Sequence, residues 1–117
     1  YNNADALLPC STGEGWGFGP FEAAACGTPV VLPRTSGYAE WPEAGCYPIK
    51  AGHHPDFWQV VPLTGHQPRP VVSITSAAEQ VLKSLEGPND ERIAVAREYV
   101  SKYPWTKACE ILSEVLR

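Results

Sequence analysis

Two glutamates, Glu14 and Glu22, flank a glycine-rich segment and are the residues of this chain best suited to chemistry. Between them stand Gly15, Gly17 and Gly19, and glycines let a ligand approach the backbone closely. A helix that begins in this segment would present unpaired N–H groups and the positive end of its dipole, both of which favour phosphate. A carboxylate on either side would accept hydrogen bonds from hydroxyl groups. The pattern predicts a site for a diphosphate flanked by hydroxyl-bearing rings, which describes a nucleotide-sugar.

The elements that must position these residues are predicted from short apolar segments and from helix boundary signals. A helix is predicted over Pro20–Cys26, because proline suits the first helical position and Gly27 follows the last. Strand, helix and strand joined by short loops indicate an α/β fold with parallel strands. Three apolar segments are predicted as strands: residues 6–9, 29–33 and 46–50.

The chain divides into an α/β motif region over 1–50, a loop or hairpin over 51–74, and a helical region over 75–117. The middle part is rich in Pro, Gly and His, and its segment 59–63 is predicted as an edge strand because Pro62 cannot donate to a ladder. We read this part as an ordered loop or hairpin, since its aromatic and branched side chains have apolar surface to bury.

Three helices are predicted after residue 75. Ser76-x-x-Glu79 reads as a capping box for a helix over about 77–85, and Asn89 or Asp90 caps the second helix. The third begins at Pro104-Trp105. The apolar residues of the second and third helices have core-facing spacing: Ile93, Ala96, Val100 and Tyr103, then Cys109, Leu112, Val115 and Leu116.

Composition bounds the function class. With 117 residues the chain has room for one domain, and its net charge of −4 disfavours nucleic-acid binding. No apolar run is long enough for a membrane span and no leader pattern precedes the motif, so we expect a cytoplasmic protein. The four cysteines fit either disulfides or reduced thiols; we favour reduced thiols, with Cys10 and Cys26 buried.

The motif resembles the signature of retaining GT-B-fold glycosyltransferases of family 4, which carry Glu, seven residues and a second Glu. The lead-in Y-x-x-A-D-x-x-x-x-P is similar to the segment from Tyr1 to Pro9, and Ser36-Gly37-Tyr38-Ala39-Glu40 resembles the G-G-x-x-E segment. Gly19 and Pro20 depart from the family spacing, and Ser36 replaces a glycine. The matching residues of the central motif are Glu14, Gly15, Gly17, Glu22, Ala23, Ala25, Gly27, Pro29, Val30 and Val31.

This resemblance implies roles for individual residues. Glu14 would lie at the donor sugar as the catalytic acid residue, and Glu22 would bind the ribose hydroxyls. The backbone N–H groups of the loop would hold the diphosphate, with Gly15, Gly17, Phe18 and Gly19 as donor-binding residues. No cofactor and no metal are expected, because the chain has no Asp-x-Asp motif to hold a divalent ion.

Alternatives stay open for several charged residues. Glu40 reads either as a donor-binding residue or as a surface acid, and Arg34 either faces the phosphate or does not. A metal site is the disfavoured reading of the histidine-rich segment, because adjacent histidines of an extended chain point to opposite faces. The residues concerned are His53, His54, Asp56 and His66.

The expected fold is the second half of a GT-B Rossmann-like parallel sheet with flanking helices and C-terminal helices. The expected function is that of the C-terminal donor-binding part of a retaining glycosyltransferase, a fragment that binds a nucleotide-sugar or nucleoside diphosphate and is inactive without an N-terminal acceptor domain. Two alternatives are a non-catalytic nucleotide-binding remnant and a self-associating remnant. We expect a homo-oligomer formed through the exposed edge of the strand at 6–9.

Overall fold

The chain folds as a mixed α/β structure in which a small parallel sheet carries the motif region. The computed structural model describes residues 1–11, 14–52, 58–60 and 68–116. Within these ranges the helices are α1 (Phe18–Cys26), α2 (Ile74–Leu85), α3 (Asp90–Ser101) and α4 (Trp105–Val115). The strands are β1 (Val31–Pro33), β2 (Tyr47–Ile49), β3 (Ala51–Gly52), β4 (Trp58–Val60) and β5 (Pro68–Val72).

The parallel sheet confirms two of the three predicted strands. β1 pairs with β2 in parallel, with Val31 opposite Tyr47. All three residues of β1 are buried, as expected for an apolar run covered on both faces. The predicted strand at 6–9 is reduced to one parallel bridge between Leu7 and Val30, with backbone bonds of 2.8 Å to the Pro29 carbonyl and 2.9 Å from the Val31 N–H.

Helix α1 begins two residues earlier than the sequence predicts. Its N-cap is Gly17, which has the left-handed φ of 83°. Pro20 is therefore the third helical residue and not the first. Proline is tolerated there because the first N–H groups of any helix have no intrahelical acceptor. The predicted end is confirmed, since Gly27 has a φ of 87° and its N–H bonds back to the Ala24 carbonyl at 3.0 Å.

The middle segment contains an antiparallel sheet with strand order β3-β5-β4. The loop or hairpin predicted over 51–74 therefore contains regular structure at both of its ends. β4 is an edge strand at Trp58–Val60, in agreement with the start of the predicted strand at 59–63. Residues 61–63 lie outside the described residues.

Helix α2 is capped by Ser73 and not by the predicted Ser76-x-x-Glu79 box. The Ser73 hydroxyl accepts a 3.2 Å hydrogen bond from the Ser76 N–H, and the helix begins at Ile74. Ser76 is buried inside the first turn, where its hydroxyl accepts a 3.0 Å bond from the Lys50 N–H. The prediction was wrong because two serines three residues apart both satisfy the cap signature, and tertiary contact with Lys50 selected the earlier start.

The core lies between α1, β1, β2 and α3. Its largest buried side chain is Trp41, at 2% exposure, and the only member from α3 is Ala96. Helix α3 follows Asn89, whose side chain binds the Ser84 carbonyl at 3.0 Å instead of capping the helix. Other members of the buried cluster are Ala23, Ala24, Val30, Leu32, Tyr38 and Cys46.

Helix α4 contradicts the predicted core-facing stripe. Its bounds agree with the predicted start at Pro104-Trp105, but every residue of Trp105–Val115 is exposed. Val115 and Leu116 are each 76% exposed, because no described part of the chain covers this face. The amphipathic spacing thus correctly predicted a helix at this position, but the prediction that its apolar face is buried was wrong.

The cysteines correct a second burial prediction. All four are free thiols, as favoured, but Cys10 and Cys26 are exposed and only Cys46 is buried. Cys26 is the last residue of α1.

None of the helices among the described residues combines the length and the apolarity that a membrane crossing requires.

Candidate functional site

The loop that carries Glu14 is fixed to the loop after β1 by backbone contacts. The Ser36 hydroxyl donates a 2.8 Å hydrogen bond to the Glu14 carbonyl, and the Gly37 N–H donates another at 3.0 Å. A Cβ on Gly37 would lie 2.7 Å from the Gly15 carbonyl oxygen, so only glycine permits this approach. Ser36 has a φ of 55° in a region that favours glycine. The sequence departure at Ser36 therefore keeps the glycine-like backbone and adds a hydrogen bond.

Gly17 and Tyr38 lock the start of α1 against the same loop. A Cβ on Gly17 would lie 2.1 Å from the Tyr38 ring, which occupies the space of the missing side chain. Burial raises the pKa of Tyr38, and the charge of the nearby Glu14 carboxylate adds to that rise. Glu14 is thus held beside a phenol that stays protonated at neutral pH.

We call the first of two cavities at this site the acidic cavity. It has a volume of about 350 Å³ and is lined by Glu14 and Glu40. Tyr99 of α3 also lines it, and burial raises the pKa of Tyr99 to about 12, with contributions from Tyr103 and from the Glu40 charge. Gly15, Trp16, Phe21, Ser36, Gly37 and Ala39 complete the lining. Glu40 is thus an exposed acid that lines the same cavity as Glu14.

The second, which we call the aromatic cavity, lies between α1, the end of α3 and α4. Its volume is about 860 Å³. Its aromatic walls are Trp16, Phe18, Phe21, Tyr103 and Trp105. Its charged lining residues are Glu22, Arg97, Lys102 and Lys107. Lys102 also pairs with Glu98 at 3.5 Å, and the Arg97 guanidinium donates to the Cys26 carbonyl at 3.2 Å. Both cavities have sizes typical of small-molecule sites.

Trp16 and Phe21 form the wall between the two cavities, because both residues line both of them. Their ring centroids are 5.2 Å apart, and Phe21 also meets Trp41 edge-on at 5.0 Å. Of these two cavities, Glu14 lines the acidic one and Glu22 the aromatic one. The two acids of the motif are therefore on opposite sides of an aromatic wall, with the glycine turn between them in sequence.

Glu22 is oriented by the N-terminal residue of the chain. The Tyr1 hydroxyl donates a 3.0 Å hydrogen bond to Glu22 Oε2, and the Tyr1 carbonyl accepts a 2.8 Å bond from the Thr28 hydroxyl. The hydrogen bond with Glu22 is the main reason why the pKa of Tyr1 is raised. The lead-in tyrosine of the motif thus supports the second acid.

The N-terminus of α1 has one feature that is expected of an anion-binding site. No described side chain caps it, and the helix begins directly at Gly17, Phe18 and Gly19. Phe18 is 54% exposed and stacks on Trp105 at 5.6 Å between centroids. The N–H groups of Phe18 and Gly19 in the first turn have no intrahelical acceptor, and Pro20 has no N–H to donate.

Arg34 is engaged away from both cavities. Its guanidinium donates to the Trp41 carbonyl at 2.5 Å, and its charge lies close to Cys46. It lines neither the acidic nor the aromatic cavity. Arg34 joins the end of β1 to the turn at Trp41. This position favours the interpretation in which Arg34 does not face the phosphate.

Among the described residues, no three His, Cys, Asp or Glu side chains form a group that could hold a metal ion. The histidine-rich candidates His53, His54, Asp56 and His66 lie outside the described residues.

Sequence reasoning missed most of the site's walls. Trp16 and Phe21 lie inside the motif, and two aromatic residues so close to the glycine turn were an available signal. Tyr99 and the cations of the aromatic cavity lie more than 70 residues further along the chain, at positions 97–107. No local pattern links them to the glycine turn, because only the packing of α3 on α1 brings them there.

Comparisons with known proteins give one match. Neither the curated proteins nor the solved structures gave a match to this chain. A family model described as "Family 4 Glycosyltransferase in conflict systems" matches residues 1–112, which is nearly the whole chain. The matched range includes the Glu14–Glu22 motif, the Tyr1 lead-in and the segment ending at Glu40. The chain belongs to the family 4 glycosyltransferases of conflict systems.

Proposed function

We propose that this chain is the donor-binding part of a retaining glycosyltransferase and belongs to a GT-B-type fold. The observation that carries the proposal is the pair of cavities on the two sides of Trp16 and Phe21, one with Glu14 and the other with Glu22. A nucleotide-sugar has a sugar and a nucleoside joined by a diphosphate. Two cavities beside a glycine turn suit the two ends of such a molecule.

In this proposal the acidic cavity holds the sugar. Carboxylates accept hydrogen bonds from hydroxyl groups, and the Tyr99 hydroxyl both donates and accepts. At about 350 Å³ the cavity is at the lower end of ligand-site sizes, which suits a single ring. Glu14 contacts the sugar nearest to the bond that breaks and is the catalytic residue of the proposal.

The aromatic cavity holds the nucleoside. Glu22, oriented by Tyr1, accepts hydrogen bonds from the ribose hydroxyls. The base stacks on the aromatic walls, and stacking of a base on an aromatic side chain is worth about 1–3 kcal/mol. Arg97, Lys102 and Lys107 give this side of the site the positive potential that a diphosphate needs.

The diphosphate lies at the uncapped N-terminus of α1, between Gly15, which lines the acidic cavity, and Phe18, which lines the aromatic cavity; Gly17 and Gly19 line neither cavity and shape the turn between them. Fixed N–H dipoles stabilise the charge that develops on the departing diphosphate, and such preorganised stabilisation is a large term in catalysis. Arg34 has no part in this account, because its guanidinium is bound to the Trp41 carbonyl.

Calorimetry with uridine, guanosine and adenosine diphosphates tests the proposal. We expect one of them to bind, with Glu22→Gln weakening its affinity at least tenfold through loss of the charge-assisted bonds to the ribose. Glu86→Gln is the matched control, since Glu86 is an exposed acid at the end of α2 that lines neither cavity. Absence of binding by all three, or equal affinity in Glu22→Gln, would refute the donor-site assignment.

Transfer itself needs an acceptor, and the resemblance assigns the acceptor to an N-terminal domain. We therefore propose that the 117-residue chain binds donor without turnover. An acceptor domain supplied in trans should then allow transfer; Glu14→Gln would abolish that activity while leaving nucleoside diphosphate binding intact.

A self-associating remnant is the second candidate, and one observation favours it. Helix α4 exposes an apolar face, with Trp105 at 72% and Leu112 at 59% exposure. Exposed apolar patches mark association surfaces. Light scattering across a concentration series separates the two candidates. A concentration-dependent dimer that does not bind nucleotide supports the self-associating remnant. A monomer that binds nucleotide supports the transferase.

A further inference from the structure

The cations of the site line one of its two cavities and not the other, and this arrangement has a consequence for the sugar. The acidic cavity is lined by Glu14 and Glu40, while Arg97, Lys102 and Lys107 all line the aromatic cavity. Within the part of the chain that the structure describes, no cation lines the acidic cavity. A ligand group placed there meets two negative charges and no positive one.

We propose that this chain selects donors whose sugar is uncharged and rejects those whose sugar carries a carboxylate, with Glu40 as the residue that sets this specificity. The inference rests on the proposed function, because it concerns the sugar half of the same donor site. It goes further by naming the substrate class and by assigning a role to a residue outside the Glu14–Glu22 pair.

Two features of the acidic cavity support selection by charge. Its loops cannot open easily, because the Glu14 carbonyl is bonded to both Ser36 and Gly37 and a Cβ on Gly37 would already collide with Gly15. A sugar carboxylate would therefore have to sit near the Glu14 and Glu40 carboxylates, and like charges at such range repel strongly in a partly enclosed site.

Tyr99 contributes an uncharged hydrogen-bonding group to the acidic cavity. With a pKa of about 12 it remains a protonated hydroxyl donor across the physiological range. The cavity thus offers carboxylate acceptors together with the hydroxyl groups of Tyr99 and Ser36, which match a ring bearing several hydroxyl groups. A uronic acid carries a carboxylate in place of the hydroxymethyl group, and within the described lining that charge finds no cation.

Matched donor pairs test the inference on the full 117-residue chain. The pairs are uridine diphosphate glucose with uridine diphosphate glucuronate, and guanosine diphosphate mannose with guanosine diphosphate mannuronate. The base is the same within a pair, so the ratio of the two dissociation constants measures the sugar alone. In the pair whose nucleoside diphosphate binds, we expect the uronate to bind at least tenfold more weakly.

Glu40→Gln should reduce that ratio at least threefold, since the amide removes one charge and keeps the shape. The ratio should also fall when salt is raised to shorten the Debye length. Tyr99→Phe should weaken both members of a pair equally and leave the ratio unchanged, and Glu79→Gln, an exposed acid of α2, is the control for net charge. Circular dichroism melting confirms that each variant is folded.

Equal affinity for both members of the pair overturns the inference while the donor-site proposal stands. A ratio that persists in Glu40→Gln and at high salt overturns it too, because exclusion would then come from shape. If no nucleoside diphosphate binds at all, the proposed function fails first, and this inference fails with it.

Discussion

The acidic and aromatic cavities share the Trp16–Phe21 wall but are held in place by different kinds of contact. The acidic side is fixed by hydrogen bonds between the Glu14 and Ser36 loops and rests on the buried Trp41. The aromatic side is bounded by α4, whose described residues are all exposed and whose ring stack joins Trp105 to Phe18. We infer that the acidic cavity is rigid and that the aromatic cavity is adaptable.

The largest expected effect is the difference in stability between alanine substitutions of two tryptophans. Trp41→Ala removes a 2% exposed ring that packs on Phe21 and donates to the Gly45 carbonyl at 3.3 Å, and should cost about 3–5 kcal/mol of unfolding free energy. Trp105→Ala removes a ring that is 72% exposed and should cost about 0.5–1.5 kcal/mol, the value of its aromatic stack. Urea unfolding measures both.

Equal costs for the two tryptophan variants would break the comparison, because α4 would then be as firmly packed as the core. Trp41→Phe keeps a ring at the position and guards against a variant that does not fold. Trp41→Phe should lose less unfolding free energy than Trp41→Ala, because only the hydrogen bond and part of the ring are missing.

The glycine turn gives the second test. Gly17→Ala meets both a φ of 83° and the Tyr38 ring at 2.1 Å, and should cost about 2–4 kcal/mol from backbone strain and overpacking together. Gly15→Ala is the matched control two residues away, since a Cβ there meets nothing within 4 Å and should change stability by less than about 0.5 kcal/mol. Thermal unfolding measures the stability of both variants. A loss at Gly17 and none at Gly15 is the expected result.

Cys46 gives a pH test of the buried side. Burial raises its pKa from the ordinary 9.0 to about 11, against the opposing charges of Arg34 and Arg92. The folded state therefore binds the thiol proton more tightly than the unfolded state does. Stability from this group is complete below pH 9 and is lost as pH rises towards 11, by roughly 2–3 kcal/mol.

Urea unfolding from pH 8 to pH 11 measures the Cys46 effect, with Cys46→Ala as the variant that should lose most of this slope. The exposed thiols of Cys10, Cys26 and Cys109 should react with a disulfide reagent at once, and Cys46 only on unfolding. Fast labelling of four thiols in the native state would contradict the burial of Cys46.

The contrast between the two sides also explains what the sequence could and could not predict. The Glu14–Glu22 motif, the end of α1 at Gly27 and the strands β1 and β2 follow from local signals, because caps and apolar runs act over a few residues. The start of α2 and the burial of α4 do not, since Lys50 selects the Ser73 cap and no described residue covers α4. Tyr99 enters the acidic cavity only through the packing of α3.

The smallest expected effect concerns Ser36 and sharpens the account of the rigid side. Ser36→Ala keeps the unfavourable φ of 55° and removes the hydroxyl bond to the Glu14 carbonyl, so it should cost about 1 kcal/mol. Ser36→Gly removes the same bond but suits the left-handed backbone, and should lie within about 0.5 kcal/mol of the parent chain. Chemical denaturation resolves the pair. If both variants cost the same, backbone strain at Ser36 is negligible and the lost stability comes from the hydroxyl, which also accepts a 3.3 Å bond from the Glu14 N–H. If the glycine variant is more stable than the alanine variant, the left-handed backbone costs free energy at Ser36, and the Gly37 N–H bond to the Glu14 carbonyl still joins the two loops.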